Sequence, residues 1–173
     1  AEGSLNVLFS DPEARGAVPD PELGRAVDWG FSLFEGYTSS VRPVGLPVGA
    51  WLDRELGGNP PGNSPDLLIL NGYTRREYAQ GLAWSRRRKV PAALRIDSTT
   101  VDRSPVRRFA KQVVFSAYLK PRFRIFLATS TRTERYLAAF GVAASRIGRF
   151  PYAIDDARFR RLAVVERARR GEA

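Results

Sequence analysis

The stretch that decides the fold lies between Pro65 and Ser98 and reads PDLLILNGYTRREYAQGLAWSRRRKVPAALRIDS. A short apolar run, Leu67 to Leu70, ends at the polar turn Asn71-Gly72-Tyr73, and a second run, Ala92 to Ile96, ends at Asp97-Ser98. The Arg-rich segment between them has helical spacing. This pattern predicts two parallel strands joined by a helix. In such a sheet, the residues just beyond each strand lie at the carboxyl edge, where open α/β folds bind their ligands.

The same alternation recurs along the rest of the chain. Further strands are predicted at residues 5–10, 37–44, 124–128 and 146–150, and further helices at residues 48–56, 104–119, 131–140 and 157–169. This order predicts an α/β fold, a Rossmann-like open parallel sheet with helices on both faces. Residues 11–28 are rich in Pro and Gly and predict a long loop. We assign residues 1–156 to this domain and residues 157–173 to a charged helical tail or linker.

Local signals predict the ends and the interior of these elements. Thr74, followed by Glu77, predicts a capping box at the start of the Arg-rich helix in the opening stretch. Pro121 predicts the end of the helix that begins near Ser104. Four aromatic residues lie among apolar neighbours and are expected in the core: Trp51, Trp84, Phe109 and Phe115.

The composition removes several kinds of chemistry. The chain of 173 residues contains no Cys and no His, which excludes disulfides, a Ser-His-Asp triad and the usual zinc ligands. No metal site is predicted, and any general base must be a carboxylate, a Tyr or a Lys. The N-terminal residues lack the pattern of a signal peptide, and no apolar run approaches the ~20 residues of a membrane span. We therefore expect a cytoplasmic protein.

The charge balance is strongly basic. The net charge is +10, from 28 Lys and Arg against 18 Asp and Glu, and nearly all the cations are arginine. A GC-rich genome produces such a bias without any function, and a solvated helix face accounts for each residue singly. As a set, the cations predict an anionic membrane surface or another polyanion as partner. The residues expected to make this contact are Arg86, Arg87, Arg88, Lys89, Arg107, Arg108 and Lys111. Nucleic acid is not expected, since no helix-turn-helix, zinc or RNA-recognition pattern is present.

Four stretches, in their order and spacing, resemble one enzyme family. They read FEGYTSSVRP (34–43), PDLLILNGY (65–73), KVPAALRIDS (89–98) and FLATSTRTERYLAAFGVAASRIGRFPYAIDDARF (126–159). Together they resemble the N-terminal half of a GT-B glycosyltransferase, specifically a retaining enzyme of family 4. The closest matches to the family pattern are Gly141-Val142, Arg146-Ile147 and the segment from Pro151 to Asp155.

The resemblance implies an acceptor-binding half. Such an enzyme transfers a sugar from a nucleotide-diphosphate sugar to a hydroxyl of a glycan or lipid-linked acceptor, with retained configuration. The donor is bound by a C-terminal domain or a separate subunit, so this chain is expected to bind no cofactor and to be inactive alone. The chain departs from the family where Ser10-Asp11-Pro12 replaces a glycine-rich loop, and Glu166 and Glu172 do not match the paired glutamates of the donor domain.

The candidate substrate site combines strand ends with the resemblance. Strand ends supply the residues expected at the carboxyl edge: Asp11, Asn71, Gly72, Tyr73, Arg95, Asp97, Ser98 and Thr131. The resemblance adds Glu35 and Tyr37, which lie in a family motif, and Tyr152, which lies in the segment leading to the donor domain. A turn or helix cap is the structural alternative for most of them, and Tyr73 can instead pack over the start of the following helix.

Asp97 is the candidate catalytic residue. With no His present, its carboxylate can orient or deprotonate an acceptor hydroxyl. In retaining relatives the acceptor proton can instead leave to the donor phosphate. A capping Asp with Arg95 as its ion-pair partner is the structural alternative.

A non-catalytic module is the second interpretation of the whole chain. It would dock on an anionic membrane or a polyanion through its Arg-rich helices, with a steep dependence on salt. Saturable binding of a glycan or a lipid-linked sugar, lost in Asp97→Ala or Tyr73→Ala, would instead favour the acceptor-binding half.

Overall fold

A computed structural model of the chain describes residues 4–12, 18–20, 25–27, 34, 36–57, 64–99, 104–152 and 156–171. Its strands are β1 (Asn6–Phe9), β2 (Val18–Asp20), β3 (Arg25–Val27), β4 (Thr38–Val41), β5 (Leu68–Leu70), β6 (Ala92–Ile96), β7 (Ile125–Ala128) and β8 (Ile147–Arg149). Its α-helices are α1 (Val48–Leu56), α2 (Arg76–Arg88), α3 (Pro105–Val113), α4 (Lys120–Arg122), α5 (Thr131–Ala139) and α6 (Asp156–Arg170). A π-helical segment (Val114–Leu119) joins α3 to α4, and a 3-10 turn (Ala144–Arg146) precedes β8.

Four parallel strands form the main sheet, in the order β5-β6-β7-β8. Leu70 lies opposite Leu94, and Phe126 lies opposite both Leu94 and Ile147. Strands β1 and β4 form a second parallel pair, and β2 and β3 form an antiparallel pair. The chain is therefore an α/β protein with a Rossmann-like open parallel sheet, which confirms the predicted class.

The main core lies on one face of the sheet. Side chains alternate along a strand, so Leu94 and Ile96 of β6 face the same way as Phe126 of β7. They pack against Phe115 of the π-helical segment and Leu137 of α5, which are fully buried. The helices that follow β6 and β7 are thus held by the same face.

A second, smaller cluster joins the helices α1 and α2. Trp51 and Leu52 of α1 pack against Trp84 of α2, with Leu8 of β1 and Leu68 of β5 at its border. Because β1 and β5 both contact this cluster, it connects the β1–β4 pair to the main sheet.

Most predicted elements are confirmed, and four local predictions are wrong. Residues 48–56 and 92–96 form the predicted helix and strand without a shift of either end. The predicted loop at 11–28 contains β2 and β3, which the sequence hides because Pro19 is unusual inside a strand. Phe109 is not in the core, since its side chain is 71% exposed.

Two predicted helix ends are also wrong. Helix α2 has Arg75 at its cap position with no side-chain cap, and Thr74 lies one residue too early to serve. Pro121 does not end the helix before it. It lies in α4, which continues from the π-helical segment without a break and ends one residue later, at Arg122.

The C-terminal helix α6 is exposed at each described position from Phe159 to Arg167. The predicted boundary between the domain and a charged tail, at residue 156, stays a prediction.

Asp53 of α1 links this helix to α2. The Trp84 indole N–H donates to Oδ1 (2.8 Å), Arg88 donates to the same oxygen (2.7 Å), and Arg87 donates to Oδ2 (2.8 Å). The bond from Arg88 is the main reason that the pKa of Asp53 lies below its usual 3.8, with smaller contributions from Trp84 and Arg87 against the opposing effect of burial. Arg87 and Arg88 therefore have a structural role.

Replacing Asp53 by Ala should destabilise the fold by about 1–2 kcal/mol, because the buried Trp84 N–H loses its acceptor. The pKa of Asp53 is lowered in the folded state, so its contribution is present above pH 3.8 and is lost as the pH falls through the lower folded value. Urea unfolding at pH 7 and at pH 3 measures the free energy of unfolding. The difference in this free energy between wild type and Asp53→Ala should be smaller at pH 3 than at pH 7. The control is Asp66→Asn, which changes an exposed carboxylate just before β5. It should leave the free energy of unfolding unchanged at both pH values. An equal difference at both pH values would contradict the role of the carboxylate charge.

Candidate functional site

Four of the predicted residues come together at the carboxyl edge of the main sheet. Asn71 follows β5, Asp97 follows β6, and Tyr152 follows β8, while Arg95 lies one residue before the end of β6. Arg95 Nη1 lies 3.5 Å from Asn71 Oδ1, and the Arg95 guanidinium lies 4.3 Å from the centre of the Tyr152 ring. The Tyr152 hydroxyl donates a long hydrogen bond of 3.4 Å to Asp97 Oδ2. We call this set the edge cluster.

Arg95 is the centre of the edge cluster, and strand alternation places it there. Because Leu94 and Ile96 face the core, Arg95 emerges on the opposite face of the sheet. Phe150 and Tyr152, which follow β8, both lie against its guanidinium, at 5.5 and 4.3 Å from the ring centres. Such cation–π contacts hold the guanidinium in place. Its Nε is buried and has no hydrogen-bond partner among the described residues.

The edge cluster offers groups of several kinds within a small area. Asp97 provides a carboxylate, Asn71 an amide and Tyr152 a hydroxyl, and Arg95 provides N–H donors. Phe150 and Tyr152 are 45% and 57% exposed as whole residues. This combination of polar groups and exposed rings suits a ligand with several hydroxyls and an apolar face.

An ion pair lies at the same edge of the sheet. Arg149, the last residue of β8, donates to both carboxylate oxygens of Glu134 in the first turn of α5 (3.0 and 3.2 Å). These bonds lower the pKa of Glu134 and raise that of Arg149. Arg149 also donates to the hydroxyl of Thr131 (3.0 Å), so this predicted substrate residue is held by a protein side chain.

Arg149 and its pairing with Glu134 were not predicted. The available signal was position, since Arg149 ends a strand and Glu134 lies at a helix start, where an acidic residue is favourable. Ser130 caps α5, because its hydroxyl oxygen accepts a hydrogen bond from the Thr133 backbone N–H (3.2 Å). This hydroxyl therefore stabilises the start of the helix.

Gly72 and Tyr73 shape the turn after β5. Gly72 has φ +128°, and an added Cβ would lie 2.9 Å from the Tyr78 ring, so the position requires glycine. The Tyr73 ring packs edge-on to Phe115, with 6.4 Å between ring centres. Tyr73 therefore packs on the π-helical segment. Its packing over the start of the following helix and its contact with substrate both stay predictions.

The remaining predicted residues lie apart from the edge cluster or outside the described part. Asp11 follows β1 and is exposed, whereas Tyr37 precedes the parallel strand β4 and therefore lies at the opposite edge of that pair. Ser98 is half-buried beside Asp97. Glu35 lies outside the described residues. The substrate roles of these residues stay predictions.

The predicted basic residues fall into three groups. Arg87 and Arg88 bind Asp53. Arg86 and Lys89 line an open groove at the amino-terminal edge of the sheet, and Lys89 ends α2 with φ +58°. The third group, on α3, consists of Arg107, Arg108 and Lys111.

Among the described residues, no three or more Asp and Glu side chains gather in a way that could hold a metal ion. Within the same ranges, every helix is too short or too polar to cross a bilayer.

Comparisons of the chain with protein-family models, with curated proteins and with solved structures found no match. The resemblance to family 4 glycosyltransferases therefore stays a prediction.

Replacing Gly72 by Ala should destabilise the fold by about 1–3 kcal/mol, because the backbone is strained and the Tyr78 ring must move. Gly45→Ala is the control for a positive φ without a nearby side chain, since Gly45 has φ +77° and nothing lies near its added Cβ. Its φ lies closer to the left-handed helical region than that of Gly72, so backbone strain and the Tyr78 contact both act against Gly72→Ala. Thermal or urea unfolding should show the larger loss for Gly72→Ala. Equal losses would mean that the contact with Tyr78 contributes nothing.

The contact of Arg95 with Tyr152 should be visible by NMR. The Arg95 Nε–H proton should show an upfield ring-current shift that Tyr152→Phe retains and Tyr152→Ala reduces, because only the second change removes the ring. If Tyr152→Phe also removes the shift, the hydroxyl bond to Asp97 rather than stacking holds the ring.

Proposed function

We propose that the chain is the acceptor-binding half of a retaining glycosyltransferase, which transfers a sugar from a nucleotide-diphosphate sugar to a hydroxyl of a glycan or lipid-linked acceptor. The observation that carries the proposal is the edge cluster, in which three strand ends bring Asn71, Arg95, Asp97 and Tyr152 together. The order of motifs along the chain supports it independently of this geometry.

The edge cluster fits the acceptor side of such a reaction. A sugar presents hydroxyls around its rim and C–H groups on its faces. The exposed rings of Phe150 and Tyr152 can cover a sugar face, while Asp97 accepts and Arg95 donates hydrogen bonds at its rim. Arg95 also places a positive charge where a phosphate of the donor or of a lipid carrier can approach.

The part assigned to Asp97 is orientation of the acceptor hydroxyl. Its carboxylate is exposed at the edge and is already an acceptor for the Tyr152 hydroxyl. An acceptor hydroxyl can donate to the same carboxylate and be aimed at the sugar carbon of the donor. In this scheme the proton leaves to the departing donor phosphate.

The proposed reaction needs a partner for the donor. A C-terminal domain or a separate subunit would bind the nucleotide-diphosphate sugar and close over the carboxyl edge, which excludes water during transfer. We place the protein in the cytoplasm, at the inner face of the membrane, where lipid-linked acceptors and nucleotide sugars meet.

Acceptor binding tests the proposal without the donor partner. The chain is applied to a printed array of defined oligosaccharides and alkyl glycosides, and the best ligand is titrated by calorimetry. Asp97→Asn should weaken binding about tenfold or more, because a hydrogen bond to a charged group contributes about 1.5–3 kcal/mol. Asp66→Asn, an exposed carboxylate at the opposite end of β5, should bind like wild type.

Two results would overturn the proposal. One is the absence of saturable binding to any glycan on the array. The other is binding that Asp97→Asn and Tyr152→Ala both leave intact, since the ligand would then lie elsewhere on the protein.

A further inference from the structure

The helical segment from Pro105 to Arg122, which we call the outward helix, presents its apolar side to solvent. Val106 is 77% exposed and Phe109 is 71% exposed, and Val113 follows them at helical spacing on the same side. Phe115 lies nine residues beyond Val106, or about two and a half turns, so it points the opposite way and is fully buried. The apolar side of α3 is therefore turned away from the core, whereas the π-helical segment that follows it buries Phe115 and Leu119.

The side of α3 that faces the protein is polar. Lys111 lies over the Tyr136 ring, with 5.9 Å from Nζ to the ring centre, and Gln112 Nε2 donates to the backbone oxygen of Phe140 (3.4 Å). No side chain of α3 is buried. Five exposed large apolar or aromatic residues lie on this one helical segment: Val106, Phe109, Val113, Val114 and Tyr118. So many exposed apolar side chains on one short element indicate an interaction surface.

The charge of the outward helix is of one sign. Residues 105–122 read PVRRFAKQVVFSAYLKPR, with five basic residues and no acidic one. By helical spacing, Arg107 and Arg108 lie on either side of the apolar strip, each about 100° from its nearest member. Lys111 lies on the opposite side, over the Tyr136 ring. At the far end, Arg122 stacks on the exposed ring of Tyr118, 4.3 Å from its centre.

We infer that the outward helix docks on an anionic lipid surface. The apolar strip would enter the boundary between headgroups and acyl chains, and the flanking cations would contact lipid phosphates. Each cation near such a surface adds attraction, which salt weakens. The occupant is a membrane, because an anionic lipid surface offers an apolar region for the strip and phosphates for the cations beside it.

A protein partner fits these observations less well. A partner protein would have to surround its own apolar patch with carboxylates in order to match Arg107 and Arg108. A second copy of the chain would bring two basic helices together, which is unfavourable at a net charge of +10 per copy.

Further cations continue from the end of the outward helix. An open groove at the amino-terminal edge of the sheet is lined by Lys120 and Arg122 together with Arg86, Lys89 and Arg124. In the described part of the chain, no carboxylate lines this groove. The groove thus extends the basic border of the docking surface.

The inference also places the edge cluster relative to the membrane. Ser104, the cap of α3, follows Asp97 and Ser98 by only a few residues, so the outward helix starts close in sequence to the proposed acceptor site. A helix lying on the lipid would bring that site near the surface, which specifies a lipid-linked acceptor. This last step rests on the proposed function, whereas membrane docking itself does not.

Vesicle binding tests the inference. The chain is co-sedimented with vesicles of phosphatidylcholine and with vesicles of equal parts phosphatidylcholine and phosphatidylglycerol, at low and at high NaCl. Binding should require phosphatidylglycerol and should weaken at high salt. The double variant Val106→Ser/Phe109→Ser should bind at least about tenfold more weakly than wild type, because the inserted apolar area is lost.

A matched pair on α6 controls for apolar area in general. Phe159 and Val164 are the same residue types with similar exposure, and Phe159→Ser/Val164→Ser should bind like wild type. All four positions are exposed, so urea unfolding should be unchanged in both double variants. Asp97→Asn should also bind vesicles normally, which separates failure of docking from failure of the acceptor site.

Insertion itself can be seen with Phe109→Trp and brominated lipids. Trp51 and Trp84 are buried, and Trp29, the third tryptophan, lies outside the described residues. Quenching of the wild type is therefore measured first, and the quenching that Phe109→Trp adds to it reports position 109. Three results would overturn the inference: no binding to anionic vesicles, equal binding by the Val106/Phe109 variant, or no added quenching at position 109. Concentration-dependent dimerisation that Phe109→Ser abolishes would also overturn it, in favour of a second copy.

Discussion

Hydrogen bonds to strands on both sides hold β6 in the sheet, and the positions at the carboxyl edge depend on its register. One face of the strand supplies Leu94 and Ile96 to the core. The alternate position supplies Arg95 to the other face, under Phe150 and Tyr152. A shift by one residue would exchange these faces, burying a guanidinium and exposing leucine. The packing of the core therefore also fixes the centre of the edge cluster.

The parts of the fold that follow from local pattern were predictable. The strand Ala92–Ile96 is a continuous apolar run, and the helix Val48–Leu56 is short and clearly bounded, so both ends of each were found. The strands β2 and β3 were missed because Pro and charged residues in them read as loop. Residue order also placed Asn71, Arg95 and Asp97 at one edge, since parallel strands end on the same side.

Two features could not be read from the sequence because they depend on distant parts of the chain. The stacking of Tyr152 on Arg95 requires β8 and the segment after it to return over β6. The outward direction of α3 is the second case. Helical spacing groups Val106, Phe109 and Val113 on one side, but it does not say which side the protein covers, and the usual assumption that an apolar strip faces the core fails for Phe109.

The charge pattern of the outward helix has a consequence for control. Its cations are Arg107, Arg108, Lys111, Lys120 and Arg122, and the chain contains no histidine. Arginine and lysine side chains keep their charge throughout the physiological pH range, where histidine would lose it. This surface therefore contains no histidine switch of its own. Its attraction to an anionic partner depends on the charge of that partner and on the ionic strength around it.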